Sequence, residues 1–353
     1  MRRRRVRPGA LFVCALFVCA LLLAGCAREP VETRARFMAM GTLVEVTVFD
    51  FPQPEARAAI SDVEALFHEL QHRWDPWGDG ELGRLNGALA GGGVATPSDE
   101  LGDLLTRAAD IARRSDGLFE PSIGALTRLW GFSRDEDAPK APPPAADVAA
   151  TVAAVTPLTE LLQLDGRLAG GDGDMAVDLG GFAKGEAVDL AIALLRSRGI
   201  EHAIVNAGGD LRAIGRHGDR DWRIGVRNPR EEGILAAIEI SGDESVFTSG
   251  DYERYFVLDG RRYHHILDPR NGYPTEATTS VTVLGVEAAL ADAAATALFV
   301  AGPEGWPVVA TALGISHVML VDTSGTVYLS APMQERVWLP GADERDVRVR
   351  ALP

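Results

Sequence analysis

The sequence has very little cysteine, and none of it lies where a disulfide could hold a domain together. The 353 residues include three cysteines, Cys14, Cys19 and Cys26, all within the first 26 positions. The roughly 300 residues that follow therefore have no thiol pair, and their stability must come from an ordinary hydrophobic core. A chain of that length can bury such a core as one large domain or two small ones.

Positive charge is also scarce. The chain has 35 Lys and Arg against 50 Asp and Glu, a formal net charge of −15. Five of the arginines lie before residue 8 in a segment without acids, so removing that segment takes the charge from −15 to −20. Because so acidic a protein repels nucleic acid, we expect no nucleic-acid partner. A ligand that carries phosphate would need a divalent cation or a local basic pocket.

The two standard nucleotide-binding motifs, G-x-G-x-x-G and G-x-x-x-x-G-K-[ST], are absent. Three other glycine-bearing strand ends are present, at residues 178–185 (DLGGFAKG), 205–215 (VNAGGDLRAIG) and 248–252 (TSGDY). A helix that starts after Gly181 would offer free backbone amides to a phosphate, with Lys184 in its first turn. Taken singly, each glycine pair is better explained as a plain tight turn.

The first 25 residues are typical of an export signal. A basic start, MRRRRVR, precedes the apolar run LFVCALFVCALLLA, which is too short to span a bilayer comfortably. The ending LAGC resembles the lipobox of bacterial lipoproteins, in which Cys26 becomes the lipidated first residue. We therefore expect a signal peptide at 1–25, a lipidated tether at 26–36, and an exported lipoprotein that is anchored to the bacterial membrane and faces the periplasm. An uncleaved single-span anchor is the alternative.

Strand and helix patterns alternate along the remaining chain. LVEVTVF and SVTVLGV alternate as strands, whereas residues 56–74, 101–115 and 287–300 have apolar side chains at helical spacing, the last ending at Gly302-Pro303. There is no internal repeat, and the elements predict an α+β (mixed α/β) fold. We expect one domain over 37–340, a mobile insert around 133–150, where charges and a Pro-Ala run interrupt the pattern, and a tail at 341–353.

Residues 245–274 hold the densest set of chemically active side chains. Alternating residues from Tyr252 to Leu258 and from Tyr263 to Leu267 flank Asp259-Gly260, which predicts a hairpin with a tight turn. The strand then ends in a loop that contains Asp268-Pro269, a usual place for reactive groups. The alternative is a surface hairpin whose His and Tyr side chains satisfy each other.

Asp292 and Thr296 lie one turn apart on one face of an alanine-rich helix. A carboxylate among alanines is costly unless it has a partner, so a buried Asp292 would invite a hard divalent cation. An exposed helix face explains the same residues equally well. His68 and His72 have the same spacing on a Glu- and Gln-rich helix, and we expect them to be solvated.

Eight motifs in order resemble those of the ApbE-like flavin transferases (FAD:protein FMN transferases): AMGT, GELGRLN, SDGLFEPSIGALTRLWGF, DLGGFAKGEAVD, VNAGGDLRAIG, TSGDYERYF, HHILDPRNGYP and ADAAATALFVAG. The resemblance extends from about Phe37 to about Leu339. It implies a single ApbE-like (T-fold-like) catalytic domain. It also implies a magnesium-dependent enzyme that splits FAD and joins its FMN half, through a phosphoester, to a threonine hydroxyl of an acceptor flavoprotein, releasing AMP. Acceptors of this kind include subunits of membrane-bound redox complexes.

The resemblance also assigns roles to individual residues. Gly181 (through its carbonyl), Asp292 and Thr296 would bind Mg²⁺, and His265 would be the general base. The residues expected to contact FAD are Met40, Phe119, Glu120, Asp178, Lys184 and Leu267, with Trp77, or else Trp74, in place of the family's stacking tyrosine. Two other functions need the same ligand: a periplasmic Mg-dependent FAD pyrophosphatase, and a non-enzymatic FAD-binding lipoprotein.

Overall fold

The computed structural model describes residues 31–133, 141–163, 166–170, 175–341, 343 and 345–353. Those residues form sixteen strands and nine helices. The strands are β1 Glu32–Ala39, β2 Thr42–Phe49, β3 Val94–Ala95, β4 Leu168–Ala169, β5 Ala203–Ala207, β6 Asp210–Gly215, β7 Trp222–Arg227, β8 Ile234–Ile240, β9 Gly242–Gly250, β10 Tyr255–Leu258, β11 Arg261–His264, β12 Thr278–Gly285, β13 His317–Asp322, β14 Val327–Ser330, β15 Val337–Trp338 and β16 Val347–Arg350. The helices are α1 Gln53–Trp74, α2 Glu81–Leu89, α3 Asp99–Arg114, α4 Gly124–Leu129, α5 Ala145–Ala154, α6 Leu158–Leu161, α7 Ala183–Ser197, α8 Ala288–Leu313 and α9 Ala331–Gln334.

A nine-stranded sheet is the centre of the fold, with the strand order β1-β2-β5-β6-β9-β12-β13-β14-β16. Its neighbouring strands are antiparallel except for β14 and β16, which run parallel. Smaller sheets are formed by β15-β8-β7, by the β10-β11 hairpin and by β3-β4. An antiparallel centre combined with helices confirms the predicted mixed class of helix and sheet.

Helices cover one face of the large sheet. Val44, Val46 and Val48 of β2 are at most 1% exposed and pack into the same core as Val63 and Phe67 of α1. Their spacing of two is that of a strand with one face turned inward. Burying each of these valines contributes about 1.5–3 kcal/mol. Helix α7 packs between α1 and α8, and α8 lies across β9 and β12.

The opposite face of the sheet carries a second core. Trp222, Ile224 and Val226 of β7 are buried alternately with exposed residues and pack against the large sheet. A third, smaller cluster consists of Leu126, Trp130, Phe132, Val148 and Leu267. This cluster supports one face of the β10–β11 hairpin, because Phe256 and Tyr263 of the hairpin pack onto it.

The predicted hairpin turn is confirmed. Asp259 and Gly260 have φ angles of 50° and 79°, as a two-residue turn with two left-handed positions requires. Both strands are shorter than expected, since β10 begins at Tyr255 and β11 ends at His264. The break at Gly302 is also confirmed, because its φ of 71° interrupts the helical geometry of α8 just before Pro303.

Over the described residues, parts of three predicted segments form regular secondary structure. Residues 32–36 of the expected tether belong to β1, which pairs with β2 along its whole length. Residues 145–150 of the expected insert begin α5, whose Val148 is fully buried. Residues 347–350 of the expected tail form β16, which extends the large sheet. In each case a partner distant in sequence supplies the pairing or burial. The signal peptide, Cys26 and residues 134–140 lie outside the described residues.

Within the described ranges, no helix combines the length and the hydropathy needed to cross a membrane.

His68 and His72 are exposed on α1, as expected.

Candidate active site

A half-buried lysine paired with a buried aspartate joins the first turn of α7 to the second turn of α8. Lys184 Nζ lies 3.1 Å from Asp292 Oδ1 and 3.3 Å from Oδ2, and it also lies 3.0 Å from Asp210 Oδ2. The backbone N–H of Gly185 donates to Asp292 Oδ2 at 3.1 Å. The Asp292 side chain is 6% exposed, so its charge is held by protein groups and very little water.

The charges of this pair depend on each other. Burial raises the pKa of the Asp292 carboxyl to about 6, while the Lys184 ammonium and the Gly185 amide favour its ionised form. Burial also disfavours the charged form of Lys184, but the carboxylates of Asp210 and Asp292 outweigh it and raise the pKa of Lys184. Lys184 is therefore a fixed cation at a helix N-terminus, a position that favours anions.

Gly181 and Thr296 meet beside this pair. Thr296 Oγ1 donates to the Asp292 carbonyl at 3.4 Å and lies 3.3 Å from Ser249 Oγ. A Cβ placed on Gly181 would lie 3.1 Å from Thr296 Oγ1 and 3.5 Å from Phe119 Cε2. The structure thus brings the three expected metal ligands and Phe119 to one place.

The oxygen atoms gathered beside Thr296 suit a hard cation as ligands. A carboxylate, a threonine hydroxyl, a serine hydroxyl and a backbone carbonyl are oxygen ligands of the kind that Mg²⁺ prefers, together with waters. Across the described residues there is no group of three His, Cys, Asp or Glu side chains that would suit a metal held by protein alone. The oxygen ligands gathered beside Thr296 fit a magnesium ion.

The two adjacent histidines of β11 and its following loop are not equivalent. Both ring nitrogens of His264 are used, because Nδ1 accepts from the Ile266 N–H at 3.2 Å and Nε2 donates to the Thr275 carbonyl at 2.8 Å. Burial lowers its pKa, so the ring is neutral and structural.

His265 is held from one side only. Its Nδ1 donates to the Arg254 carbonyl at 3.3 Å, which leaves Nε2 as the acceptor and without a partner among the described residues. Burial, together with the nearby Arg254 and His264, lowers the pKa of His265 well below its usual value. A neutral imidazole with a free Nε2 has the form that a general base needs.

The segment before α7 is fixed by Asn86 of the GELGRLN motif. Its side-chain amide accepts from the Val177 N–H at 2.8 Å and donates to the Val177 carbonyl at 2.9 Å, as a neighbouring strand would. Asp178 follows, and its Oδ1 accepts from the Gly180 N–H at 2.9 Å. Burial raises the pKa of Asp178. The turn is thus pre-formed, with Asp178 half-buried at its start.

Phe119 and Glu120 differ in what they contact. The Phe119 ring lies 6.4 Å from that of Phe182 and adjoins Gly181, so it lines the site. Glu120 Oε1 accepts from the Ser122 N–H, the Ser122 hydroxyl and the Leu158 N–H, at 2.8–3.1 Å. These bonds give Glu120 a visible structural role, which is to tie two loops together.

Met40 lies in the β1–β2 turn with a φ of 51°, and its N–H donates to Gln71 Oε1 at 2.5 Å. Thr42, in the same AMGT motif, packs against Gly208, where a Cβ would lie 2.2 Å from Thr42 Oγ1. Gly208 therefore permits the Met40 turn to lie against the turn that leads into Asp210.

The tryptophans separate into core and site residues. Trp74 is buried at the end of α1, and Trp130 is fully buried with its Nε1 donating to the Gly272 carbonyl at 2.7 Å. Trp77 is half-buried, with the Arg128 guanidinium 4.9 Å from its ring centroid. Trp77 is therefore the better candidate for a stacking residue.

Leu267 is buried in the small cluster with Leu126 and Trp130, and an isolated antiparallel β-bridge joins it to Pro274.

Sequence reasoning missed Asp210, Ser249 and Asn86 as individual residues. Each belongs to a motif that was recognised, so the signal was present in the segments. Their contacts bring them into the site. Asp210 pairs with Lys184, Ser249 lies beside Thr296, and Asn86 bonds to Val177.

The chain is similar to known proteins over most of its length. The ApbE family model matches residues 40–319. The FAD:protein FMN transferase of Rhodobacter capsulatus is 39% identical over 301 residues, which are 85% of this chain and 57% of that relative, so this chain spans little more than half its length. The FAD:protein FMN transferase of Treponema pallidum is 36% identical over 79% of this chain and 81% of its own.

Two solved structures share the fold. The ApbE protein of Thermotoga maritima superposes with a TM-score of 0.79 at 31% identity, covering 87% of this chain and 99% of its own. The flavin transferase ApbE of Vibrio cholerae gives a TM-score of 0.76 at 28% identity, covering 87% of this chain and all of its own. Because the family model matches most of its length, the chain belongs to the ApbE family.

Proposed function

We propose that this protein is a magnesium-dependent FAD:protein FMN transferase that moves the FMN half of FAD onto a threonine hydroxyl of an acceptor flavoprotein and releases AMP. The names of the relatives supply FAD, FMN and a protein acceptor. The observation that carries the proposal is the part-buried Lys184–Asp292 pair at the start of α7, with Thr296 one turn beyond Asp292. Together with a magnesium ion, such a site would balance the charge of a pyrophosphate.

The reaction exchanges the phosphoanhydride bond of FAD for a phosphoester bond to threonine. The threonine oxygen forms a bond to the FMN phosphorus of FAD, the bond from that phosphorus to the AMP oxygen breaks, and AMP leaves with the electron pair. In such reactions the protein contributes mainly positioning and charge neutralisation. Lys184 would bind the pyrophosphate oxygens, and Phe119, Trp77 and Met40 would contact the rest of the dinucleotide.

The proton of the threonine hydroxyl needs an acceptor. His265 has a neutral ring whose Nδ1 is held by the Arg254 carbonyl, so Nε2 can take the proton. His264 cannot, because both its nitrogens are bonded to the backbone. His265 is therefore the general base in this proposal.

Asp292, Thr296, the Gly181 carbonyl and Ser249 would hold the magnesium ion. When bound, the ion would neutralise charge on the pyrophosphate and so stabilise the transition state. In a chain with a formal net charge of −15 this neutralisation matters, because the surrounding field opposes the approach of a dianionic ligand.

The location of the enzyme is part of the proposal. The lipobox-like ending at Cys26 supports an exported lipoprotein held at the bacterial membrane and facing the periplasm, with a subunit of a membrane redox complex as acceptor. The chain carries the basic, apolar and small-residue segments of such a signal in the required order.

The test is to incubate the protein with FAD and Mg²⁺, with and without an acceptor flavoprotein, and to follow AMP and flavin separately. We expect AMP release to require the acceptor, and FMN to remain with the acceptor after denaturation. Free FMN without acceptor would identify a pyrophosphatase, and FAD binding without AMP release would identify a storage protein. Either result would refute the transferase.

A further inference from the structure

The N-terminus of α8, the helix that carries Asp292 and Thr296, has no cap of its own. The residue at the N-cap position, Glu287, makes no side-chain capping bond. The first backbone N–H groups of a helix have no partner within the helix and need one elsewhere. In this protein the partner comes from another helix.

Asp189 of α7 supplies the missing cap. Its Oδ1 accepts from the Ala288 N–H and its Oδ2 from the Ala289 N–H, each at 3.0 Å. One carboxylate thus satisfies two free amides and places a negative charge at the positive end of the helix dipole. The Asp189 side chain is 18% exposed, so water competes little for these bonds.

Close approach of the two helices makes this cap possible. A Cβ on Gly185, one turn before Asp189, would lie 2.3 Å from the Ala288 carbonyl oxygen and 2.6 Å from Ala289 Cα. The two helices therefore meet backbone to backbone. Gly185 and Asp189, four residues apart, both contact the start of α8, and the Gly185 N–H also bonds the Asp292 carboxylate.

Two side chains of strand β6 form ion pairs with residues of α7. Asp210 binds Lys184, and Arg212, two residues on and hence on the same face of the strand, binds Asp189. Arg212 is 11% exposed and also makes a two-bond contact with Asp243, at 2.7 and 2.8 Å. Asp189 is therefore fixed on one side by a buried guanidinium while it caps α8 on the other.

The geometry points to Asp189, supported by Arg212, as a positioning residue that fixes α8 along its axis and in rotation about that axis. In this way Asp292 and Thr296 would present their oxygens together to the magnesium ion. Asp189 would not touch the ion or FAD. This inference rests on the proposed function, because it assumes that Asp292 and Thr296 bind Mg²⁺.

The test compares Asp189→Ala and Asp189→Asn with the wild type in the full-length protein. Asp189→Asn keeps one carbonyl oxygen for one amide of α8 and should fold even if Asp189→Ala does not. Asp62→Ala is the matched control, since it removes a carboxylate that pairs with Arg198 at the other end of α7 and does not contact α8. The readouts are the half-saturating Mg²⁺ concentration for transfer, the Mg²⁺-induced rise in Tm without FAD or acceptor, and the KM for FAD at saturating Mg²⁺.

We expect Asp189→Ala to raise the half-saturating Mg²⁺ concentration about 10-fold, the usual effect of losing a residue that orients metal ligands. Asp189→Asn should fall between Asp189→Ala and the wild type. The Mg²⁺-induced rise in Tm should shrink in the same order, with the KM for FAD unchanged and Asp62→Ala like the wild type. Adding Glu287→Ser to Asp189→Ala gives α8 an N-cap of its own and should recover part of the Mg²⁺ affinity.

Two results would overturn the inference and leave the proposed function intact. One is a Mg²⁺-dependent wild type whose Asp189 variants lose Tm but keep the wild-type Mg²⁺ requirement. The other is a higher KM for FAD with the Mg²⁺ requirement unchanged. A wild type that transfers FMN in the presence of a chelator, with no Mg²⁺-induced rise in Tm, would instead refute the magnesium in the proposed function, and this inference with it.

Discussion

Lys184 and Asp292, 108 residues apart, form a part-buried ion pair in which the ammonium lies within 3.3 Å of both carboxylate oxygens. The lysine thus occupies the side of Asp292 that a second cation would approach. Two cations near one carboxylate are tolerated only where further negative charge is present, which a pyrophosphate and Asp210 would provide. In the proposed function, the pair would therefore take part in joint binding of metal and phosphate.

Replacing Asp292 by Ala should abolish transfer while weakening FAD binding far less, because most contacts to the dinucleotide lie elsewhere and the metal acts mainly on transition-state charge. Turnover and the Kd for FAD are the measurements, with Asp110→Ala, an exposed carboxylate on α3, as the control. Turnover within a few-fold of wild type at saturating Mg²⁺ would remove Asp292 from the metal site.

Replacing His265 by Asn should lower the rate by roughly 10²–10⁴, the usual contribution of a general base. His264→Asn should act on stability instead, because it disturbs a buried ring bonded on both sides; loss of such a bond costs about 1–3 kcal/mol. Rates and Tm of both variants decide the matter. If His264→Asn were the inactive one at a temperature where it is folded, the assignment of the base would be wrong.

His264 should also make the fold sensitive to acid. Its pKa is lowered in the folded protein, so the unfolded chain binds its proton more readily. The stabilisation it contributes is complete above the unfolded pKa of about 6.5 and is lost as pH falls toward the lower folded value. Denaturant unfolding at pH 7.5 and 5.5 should show a smaller difference for His264→Asn than for the wild type. An equal or larger difference would show that His264 does not carry this effect.

Replacing Cys26 by Ser should release the protein from the membrane fraction with its soluble activity intact, since the lipid supplies only location. Fractionation followed by the transfer assay measures both properties. A variant that stays in the membrane after a salt wash would show that the anchor is not a lipid on Cys26.

Much of the architecture could be predicted because it depends on near neighbours in sequence. Asp259-Gly260 adopts a turn that those two residues prefer by themselves, and Gly302-Pro303 interrupts a helix wherever it stands. Asp292 and Thr296 share a helix face through spacing alone. The same local signals, taken in order, carried the family resemblance.

Where segments end depended on distant partners. Residues 32–36 have little apolar character, yet they form β1 because β2 offers a full register of backbone bonds. Residues 347–350 form β16 because β14 lies beside them. Such pairings leave no local signature, so the sequence suggested a tether and a tail.

By itself, then, the sequence determined the class of fold, the family and the segments that carry the site. Only the tertiary structure decided which residues in those segments act together. It placed Asp210 on Lys184, Asp189 on the start of α8, and the Thr275 carbonyl on His264. Of the two adjacent histidines, His265 is therefore the one whose ring keeps a nitrogen without a partner among the described residues. The physical reason is that local conformation follows from neighbouring residues, whereas hydrogen bonds and burial depend on what the whole chain brings alongside.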